Sequence, residues 1–578
     1  MNWRNFLVSL AVLLLGTAPQ TILAQAKLDP GQLPSSTVFY VDWHGTPAGE
    51  ARKANSLLAL WDDADFAPVR AAMLEQMLSD SSNSNHTKTP ISREDLAQYA
   101  SLLDNEIVAG YLGNPNPAKK TEPDSPAGKW NGIFLVYDRT GKEATLAKLL
   151  LKMRMNEKDP PKISSTTVAG IPAMKIERKN ETSYWAEDGK YAFTASEPEV
   201  FAQIGGWARR TAPSGGGLGQ TAAYREASEM LKGGILELFF RFPSIKDMDW
   251  DSNPGGFRLR PMLRALKLEA VHSIAGRLTL EGARTRMQGA ILGDASPGTL
   301  FDIWDAGSDA PSSLQFVNAN TVSYQTSRIN LLGIYELIKR ALRASAGAGQ
   351  PSPADFLEEM AKTRVGMPVA DALGLFNGEF ATMQSDATLD PAKQVYIFGI
   401  RKKQETLKVL RSALGDYLAG EQVEGDTTFL KISQGGIHSD AGTAAWKYYH
   451  LAVAPDVIVF AGRRESLREA LAARKNSSNA EAGLPPAWLN ARAQFPKTLN
   501  GMSFLDLQKV NWKAAKERWS AQPRKSSTTS VTAQKKPQGA FSNALDQLPS
   551  ELLQRHLHLT ASGSWKDAQG VHVDGWIE

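Results

Sequence analysis

Cysteine is absent from all 578 residues. That excludes disulfides, thiolate metal ligands, a cysteine nucleophile and a lipid-modified N-terminal cysteine, so the fold has to rest on burial alone. Charge of one sign is also lacking: 65 Lys and Arg stand against 61 Asp and Glu. So balanced a surface carries no long-range field of the kind nucleic acid requires, and no nucleic-acid partner is expected. Beyond the N-terminus no stretch approaches the ~18 apolar residues of a spanning helix. Four signatures are missing as well. No histidine is followed by glutamate, which removes the H-E-x-x-H helix. The three Gly-Lys pairs at 128, 141 and 189 are followed by Trp, Glu and Tyr, so there is no Walker loop. The glycines at 215–219 fail G-x-G-x-x-G at Gln220, and no G-x-S-x-G occurs.

What is present begins with an address. Residues 1–26 run from a basic start with Arg4, through an apolar stretch from Phe6 to Leu15, to the small residues of Ala24-Gln25-Ala26. That order is a secretory signal peptide, since the apolar run is too short for ~30 Å of hydrocarbon. The mature chain is expected to begin at Lys27, with no transmembrane segment, in the periplasm or outside the cell. Its formal charge falls from +4 to +3 with the loss of Arg4.

The chain then says similar things twice. Thr37-Val38-Phe39-Tyr40 recurs 284 residues on as Thr321-Val322-Ser323-Tyr324. Asn131–Arg139 with its following helix matches Lys393–Arg401 at 262. Thr166-Thr167 matches Thr427-Thr428 at 261, and Tyr191–Phe193 matches Val457–Phe460 at 267. Gly234–Leu238 matches Gly501–Leu505 at 267, and Leu278–Gly282 matches Leu559–Gly563 at 281. Ordered blocks at offsets this close predict a tandem duplication, with units at 27–310 and 311–578. Strand-type segments rich in Val, Ile, Phe and Tyr alternate with helical stretches such as Thr145–Met155 and Glu405–Leu418. Short polar turns such as Glu187–Lys190 and Trp565–Gly570 join strands as hairpins. The fold expected is α+β, a mainly antiparallel sheet with helices in each unit. Residues 80–90, 115–129, 214–219 and 522–539 read as linkers. The last carries four basic and no acidic side chains and too little apolar surface to order itself.

The Leu33–Asp42 strand, the paired strand-helix blocks and the Thr221–Arg225 helix leading to Gly233-Gly234-Ile235-Leu236 resemble a family of large bacterial envelope proteins classed only as a domain of unknown function. The resemblance implies no activity and no catalytic residues.

Candidate chemistry is sparse. Asp247, Asp249 and Asp251 have the 1-3-5 spacing of a calcium loop, but Ser252 and Arg258 stand where the loop needs Gly and Glu. The alternative is a solvated acidic turn, and no other cofactor is expected. His556 and His558 fall on one strand face, with His572 opposite Gly563 on the next strand, too far off to share one metal. Trp43, Trp130, Trp185 and Trp446 lie in or beside apolar strands and read as core rather than as sugar platforms. The basic 522–539 stretch offers a loose attraction for anionic envelope polymers. On the first strand, alternation puts Val38, Tyr40, Asp42 and His44 on one face. An Asp-His pair there invites a catalytic reading, but Ser35 and Ser36 precede the strand at its far end, and the second copy has Thr326 and Arg328 instead. The expectation is a non-catalytic exported protein that binds an envelope protein or polymer. A hydrolase whose site assembles only in three dimensions and a glycan binder are the alternatives.

Overall fold

The structure, a computed structural model, describes residues 27–73, 98, 101–113, 132–156, 161–178, 182–210, 216–242, 259–304, 311–346, 352–433, 448–476, 484–521, 544 and 547–578. Packing divides the chain into two units. One is Met1–Pro243 with His272–Leu292 and Pro537–Leu552; the other is Ser244–Val271 with Gly293–Lys536 and Leu553–Glu578. Each unit is α+β, with antiparallel strands and helices laid on the sheet. Among the described residues no helix is long and apolar enough to cross a membrane.

The first unit is built on β1 (Thr37–Trp43), β2 (Ile107–Leu112), β3 (Ile133–Asp138), β4 (Lys162–Val168), β5 (Ile171–Glu177), β6 (Thr182–Asp188), β7 (Tyr191–Ala195), β8 (Leu236–Arg241), β9 (Val271–Glu281) and β10 (Arg284–Gly293). Their order is β4-β5-β6-β7-β3-β2-β1-β8-β9-β10. Alternate residues point to opposite faces. Tyr40, Val108, Phe134, Val136, Phe193 and Phe239 therefore share one face and form its core. Helices α1 (Glu143–Asn156) and α2 (Pro198–Ala208) follow β3 and β7, and α3 (Ala222–Leu231) precedes the turn into β8. Proline opens α2, and the Thr221 hydroxyl caps α3 by accepting from the Tyr224 amide. α2 buries Val200, Phe201 and Ile204 against that core. It lies close because position 205 is glycine: a Cβ there would sit 2.4 Å from Ile171 Cδ1. The expected linker at 214–219 is packed where it is described. Pro34 bridges to Gly217, whose Cβ would meet the Gly31 carbonyl at 2.5 Å, and Leu218 is fully buried.

The second unit uses β11 (Ser323–Arg328), β12 (Phe376–Gln384), β13 (Val395–Ile400), β14 (Leu418–Glu424), β15 (Thr427–Ser433), β16 (Tyr448–Val453), β17 (Val457–Ala461), β18 (Gly501–Asp506), β19 (Leu559–Asp567) and β20 (Gly570–Ile577). Its order is β14-β15-β16-β17-β13-β12-β11-β18-β19-β20. This is the order of the first unit with every number raised by ten. Register supplies residue correspondences. Tyr40 opposes Gly110 and Phe239 as Tyr324 opposes Met383 and Phe504. The aromatic packing recurs too: Tyr224 stands edge-on to Phe239 at 5.3 Å, and Trp488 to Phe504 at 5.5 Å.

The same registers correct several of the matched stretches. The first match, at an offset of 284, is in register. Thr166-Thr167 precede the β4–β5 turn, however, whereas Thr427-Thr428 follow the β14–β15 turn. Phe193 corresponds to Val459 rather than Phe460. Ala275 corresponds to Ala561, which displaces the Leu278–Leu559 match by five residues. Apolar strands resemble one another at neighbouring offsets, so composition finds the element and only pairing fixes the residue. The helix expected to run to Leu418 ends at Leu414, because Gly415 has positive φ.

One polar feature anchors each unit. Glu379 is 4 % exposed and accepts from the amides of Ser312 and Ser313 and from the Ser312 hydroxyl, at 2.7–2.9 Å. Its counterpart by register, Glu106, accepts from the Leu28 amide at 3.1 Å. Leu28 lies 284 residues before Ser312, so in both units a buried glutamate ties down the chain ahead of the first strand. Removing an acceptor for three donors, one buried and two partly buried, is costly. Glu379→Ala should lower stability by about 2–4 kcal/mol and Glu379→Gln, which keeps one acceptor, by less. Urea unfolding curves that coincide with wild type for Glu379→Ala would refute the anchoring role.

Candidate functional site

β1 lies between β2 and β8, with Asp42 opposite Val108 on one side and Glu237 on the other. The His44 amide continues that pairing by donating to the Ile235 carbonyl at 2.9 Å. Asp42, His44, Glu237 and Glu106 thus extend past the core residues Tyr40, Phe239 and Val108 at one end of the same face. His44 Nε2 lies 3.0 Å from Asp42 Oδ2 and 4.0 Å from Glu237 Oε1. One ligand atom from each of these three residues falls within 4.8 Å of the others, a separation a metal ion could span. On the outer side the exposed Lys27 ammonium meets His44 Nδ1 at 2.9 Å.

Asp42 has no exposed surface, and neither of its oxygens accepts a hydrogen bond. The His44 imidazole, with Nε2 3.0 Å from Oδ2, is the basic group beside it. A buried carboxylate in that state is unusual, because buried polar groups are nearly always bonded. Its neighbours register the strain. Burial pushes Glu106 and Glu237 up to about 7; the Asp42 charge adds to this in both, and His44 partly offsets it. His44 is raised as well, the Asp42 carboxylate outweighing the burial that opposes its charge.

The second unit keeps the backbone and changes the chemistry. By register Asp42 corresponds to Thr326, Glu237 to Met502 and His44 to Arg328, which opposes Glu379. Three carboxylates around an imidazole are thereby replaced by one carboxylate and one permanent cation.

A second feature lies on the opposite face of the first unit. A cavity of about 680 Å³ is lined mostly by apolar side chains, Leu135, Tyr137, Leu151, Met174, Ile176 and Trp185 among them, with Arg178, Ser183, Glu187 and Thr194 also on its wall. Leu151 and Met174 are exposed on it. Two polar atoms among its lining residues are buried without a hydrogen-bond partner, the Tyr137 hydroxyl and Trp185 Nε1. By register their counterparts are Phe398 and Leu451. In the second unit that face is filled by an apolar cluster with Leu407 and Leu410, from helix α4 (Lys403–Leu414).

The other sequence candidates fall elsewhere. Asp247, Asp249 and Asp251 lie outside the described residues, as do Trp130, Trp446 and the 522–539 stretch. Trp43 and Trp185 are buried, and among the described tryptophans with placed side chains none is exposed. His556 ends a helix (Ser550–His556) and His558 precedes β19, so they do not share a strand face. His572 opposes Trp565 rather than Gly563, stacks on it at 5.3 Å and pairs with Asp567 at 3.0 Å. The sequence reading missed Glu237 and Glu106. A lone acid inside Ile235-Leu236-Glu237-Leu238-Phe239 was a usable signal, since an apolar strand seldom carries a charge without a reason.

No family model matches the chain, and no curated protein does. Among solved structures, crystal form III of TP0453 aligns at 9 % identity with a TM-score of 0.23, over 47 % of this chain and 83 % of that one. Crystal form I of TP0453 gives 9 % and 0.20, over 47 % and 81 %.

The raised carboxyls fix a pH dependence. A carboxyl lifted from its ordinary ~4.3 to about 7 in the folded state contributes stability that is present below ~4.3 and is lost as pH rises through about 7. The protein should therefore lose this contribution between about pH 4.3 and 7. Glu106→Gln keeps an acceptor for the Leu28 amide while removing the charge. It should raise stability at pH 8 by on the order of 1–3 kcal/mol and flatten the dependence. Parallel melting curves for variant and wild type across that range would show the assignment to be wrong.

Proposed function

We propose that this chain is a non-catalytic, exported binding protein whose first unit takes a small molecule with an apolar body and one hydrogen-bond acceptor, while the second unit serves as scaffold. The observation that carries this is the 680 Å³ apolar cavity with two buried donors unmet. Binding sites are cavities of this size with a few placed polar groups, and a ligand acceptor would give these donors a partner. Support for a tandem duplication comes from the identical strand order and the recurring Tyr40–Phe239 and Tyr324–Phe504 pairs. On that reading the two copies diverged where the first acquired its cavity and its polar cluster. Export rests on the Arg4, Phe6–Leu15 and Ala24–Ala26 pattern, and the resemblance to envelope proteins of unknown function agrees with it.

The Asp42–His44 pair favours a second reading, a hydrolase. Its other nitrogen meets the Lys27 amine rather than a hydroxyl, and a general base needs a nucleophile within reach. An esterase and amidase screen, with His44→Asn as the blank, separates the two.

Binding is measured with an environment-sensitive naphthylamine dye displaced by a fatty acid. Met174→Asp and Leu151→Asp, both at exposed positions, should weaken dye binding at least tenfold without lowering the melting temperature. Equal binding by wild type and variants would sink the proposal. For export, mass spectrometry of the protein recovered from the envelope fraction should find Lys27 as its first residue; a chain retaining residues 1–26 would contradict cleavage.

A further inference from the structure

The cavity leaves the Asp42 cluster unexplained. Three carboxylates, Asp42, Glu106 and Glu237, are each no more than 6 % exposed. Isolated buried anions are expensive unless paired or bound to a metal. The protein's own cations offset this only in part: His44 Nε2 lies 3.0 Å from Asp42 Oδ2, and Lys27 reaches only the outer nitrogen of His44, at 2.9 Å, which leaves one imidazole among three carboxylates. Glu106 has a partner in the Leu28 amide and a counterpart in Glu379, so it belongs to the scaffold. Asp42, His44 and Glu237 have no such role. Their counterparts Thr326, Arg328 and Met502 carry the same fold, so the strands do not require the cluster.

The geometry points to a divalent transition-metal site made by Asp42 Oδ2, His44 Nε2 and Glu237 Oε1. Ligand atoms around a zinc ion at ~2.0–2.2 Å stand roughly 3.3–3.5 Å apart; the two separations from His44 Nε2, 3.0 and 4.0 Å, bracket that value, and all three atoms lie within 4.8 Å of one another. One imidazole with two carboxylates suits zinc and its neighbours, and three protein ligands leave a position for water or a ligand group. Both oxygens of Asp42 are fully buried without a hydrogen bond of good geometry, and their near neighbour, His44 Nε2 at 3.0 Å, is itself a ligand of the proposed ion. When the metal takes Nε2, the ring proton sits on Nδ1 and the exposed Lys27 side chain swings outward. In the second unit Arg328 supplies a built-in charge where the first unit recruits one.

The test uses the full chain, stripped with chelator and dialysed against Zn2+. Wild type should retain one ion per chain that Asp42→Asn and Glu237→Gln each weaken at least tenfold. Glu226→Gln, beside the exposed His272, should leave binding unchanged. Co2+ should give a visible absorption band that is lost in Asp42→Asn. Should the variants fold poorly, wild type alone decides, since Zn2+ is expected to slow diethyl pyrocarbonate modification of His44 at least fivefold. No stoichiometric ion in wild type, undiminished binding by folded Asp42→Asn and Glu237→Gln, or unaltered His44 reactivity overturns the proposal.

Discussion

The register of β1 between β2 and β8 is the constraint on which the first unit depends. With Tyr40 facing Gly110 and Phe239, the strand delivers an aromatic ring to the core and, one and two alternations further on, Asp42 and His44 to the acidic end of the same face. A slip of one residue would send Phe39, Val41 and Trp43 to that face and turn the polar pair to the other side. The apolar part of the strand resists the slip. Tyr40 is fully buried, and Trp43 donates to the Leu103 carbonyl at 2.7 Å. Core packing thereby holds a charge cluster that has little to stabilise it by itself.

The presence of the same frame in the second unit separates what builds the fold from what is added to it. Tyr40, Phe239 and Glu106 have working counterparts in Tyr324, Phe504 and Glu379. They belong to the architecture. Asp42, His44, Glu237, Tyr137 and Trp185 are replaced by residues that either carry no polar atom or, in Thr326 and Arg328, a different polarity. The departures gather in two places of the first unit, one on each face of its sheet, and nowhere do they disturb strand order.

Much of the architecture was legible in the sequence, because alternation and helical spacing are local properties. The hairpins at Glu187–Lys190 and Trp565–Gly570 and the α1 helix could be read in this way. The Asp42–His44 juxtaposition was legible for the same reason, two residues apart on one strand. Glu237 was not, since its place beside Asp42 follows from a pairing between segments about 195 residues apart. The cavity was illegible for a stronger reason: its walls come from six strands and a helix, and no single segment carries its signature. Residue matches between the two units slipped where apolar strands look alike, as at Phe193 and Val459, and held where an aromatic ring has a fixed neighbour, as at Tyr40 and Tyr324.

The long loop closed by β1 also bears on how the chain reaches this state. β1 is made first but cannot be flanked on both sides until β8 follows, and the unit it belongs to also takes in residues 547–552. Contacts so distant in sequence are slow to form, because the entropy of closing the loop is lost before the pairing compensates for it. During that interval Val38–Trp43 is an unpaired apolar edge, open to pairing with other chains. Folding speed and resistance to aggregation are thus governed by the same strand that positions the acidic cluster.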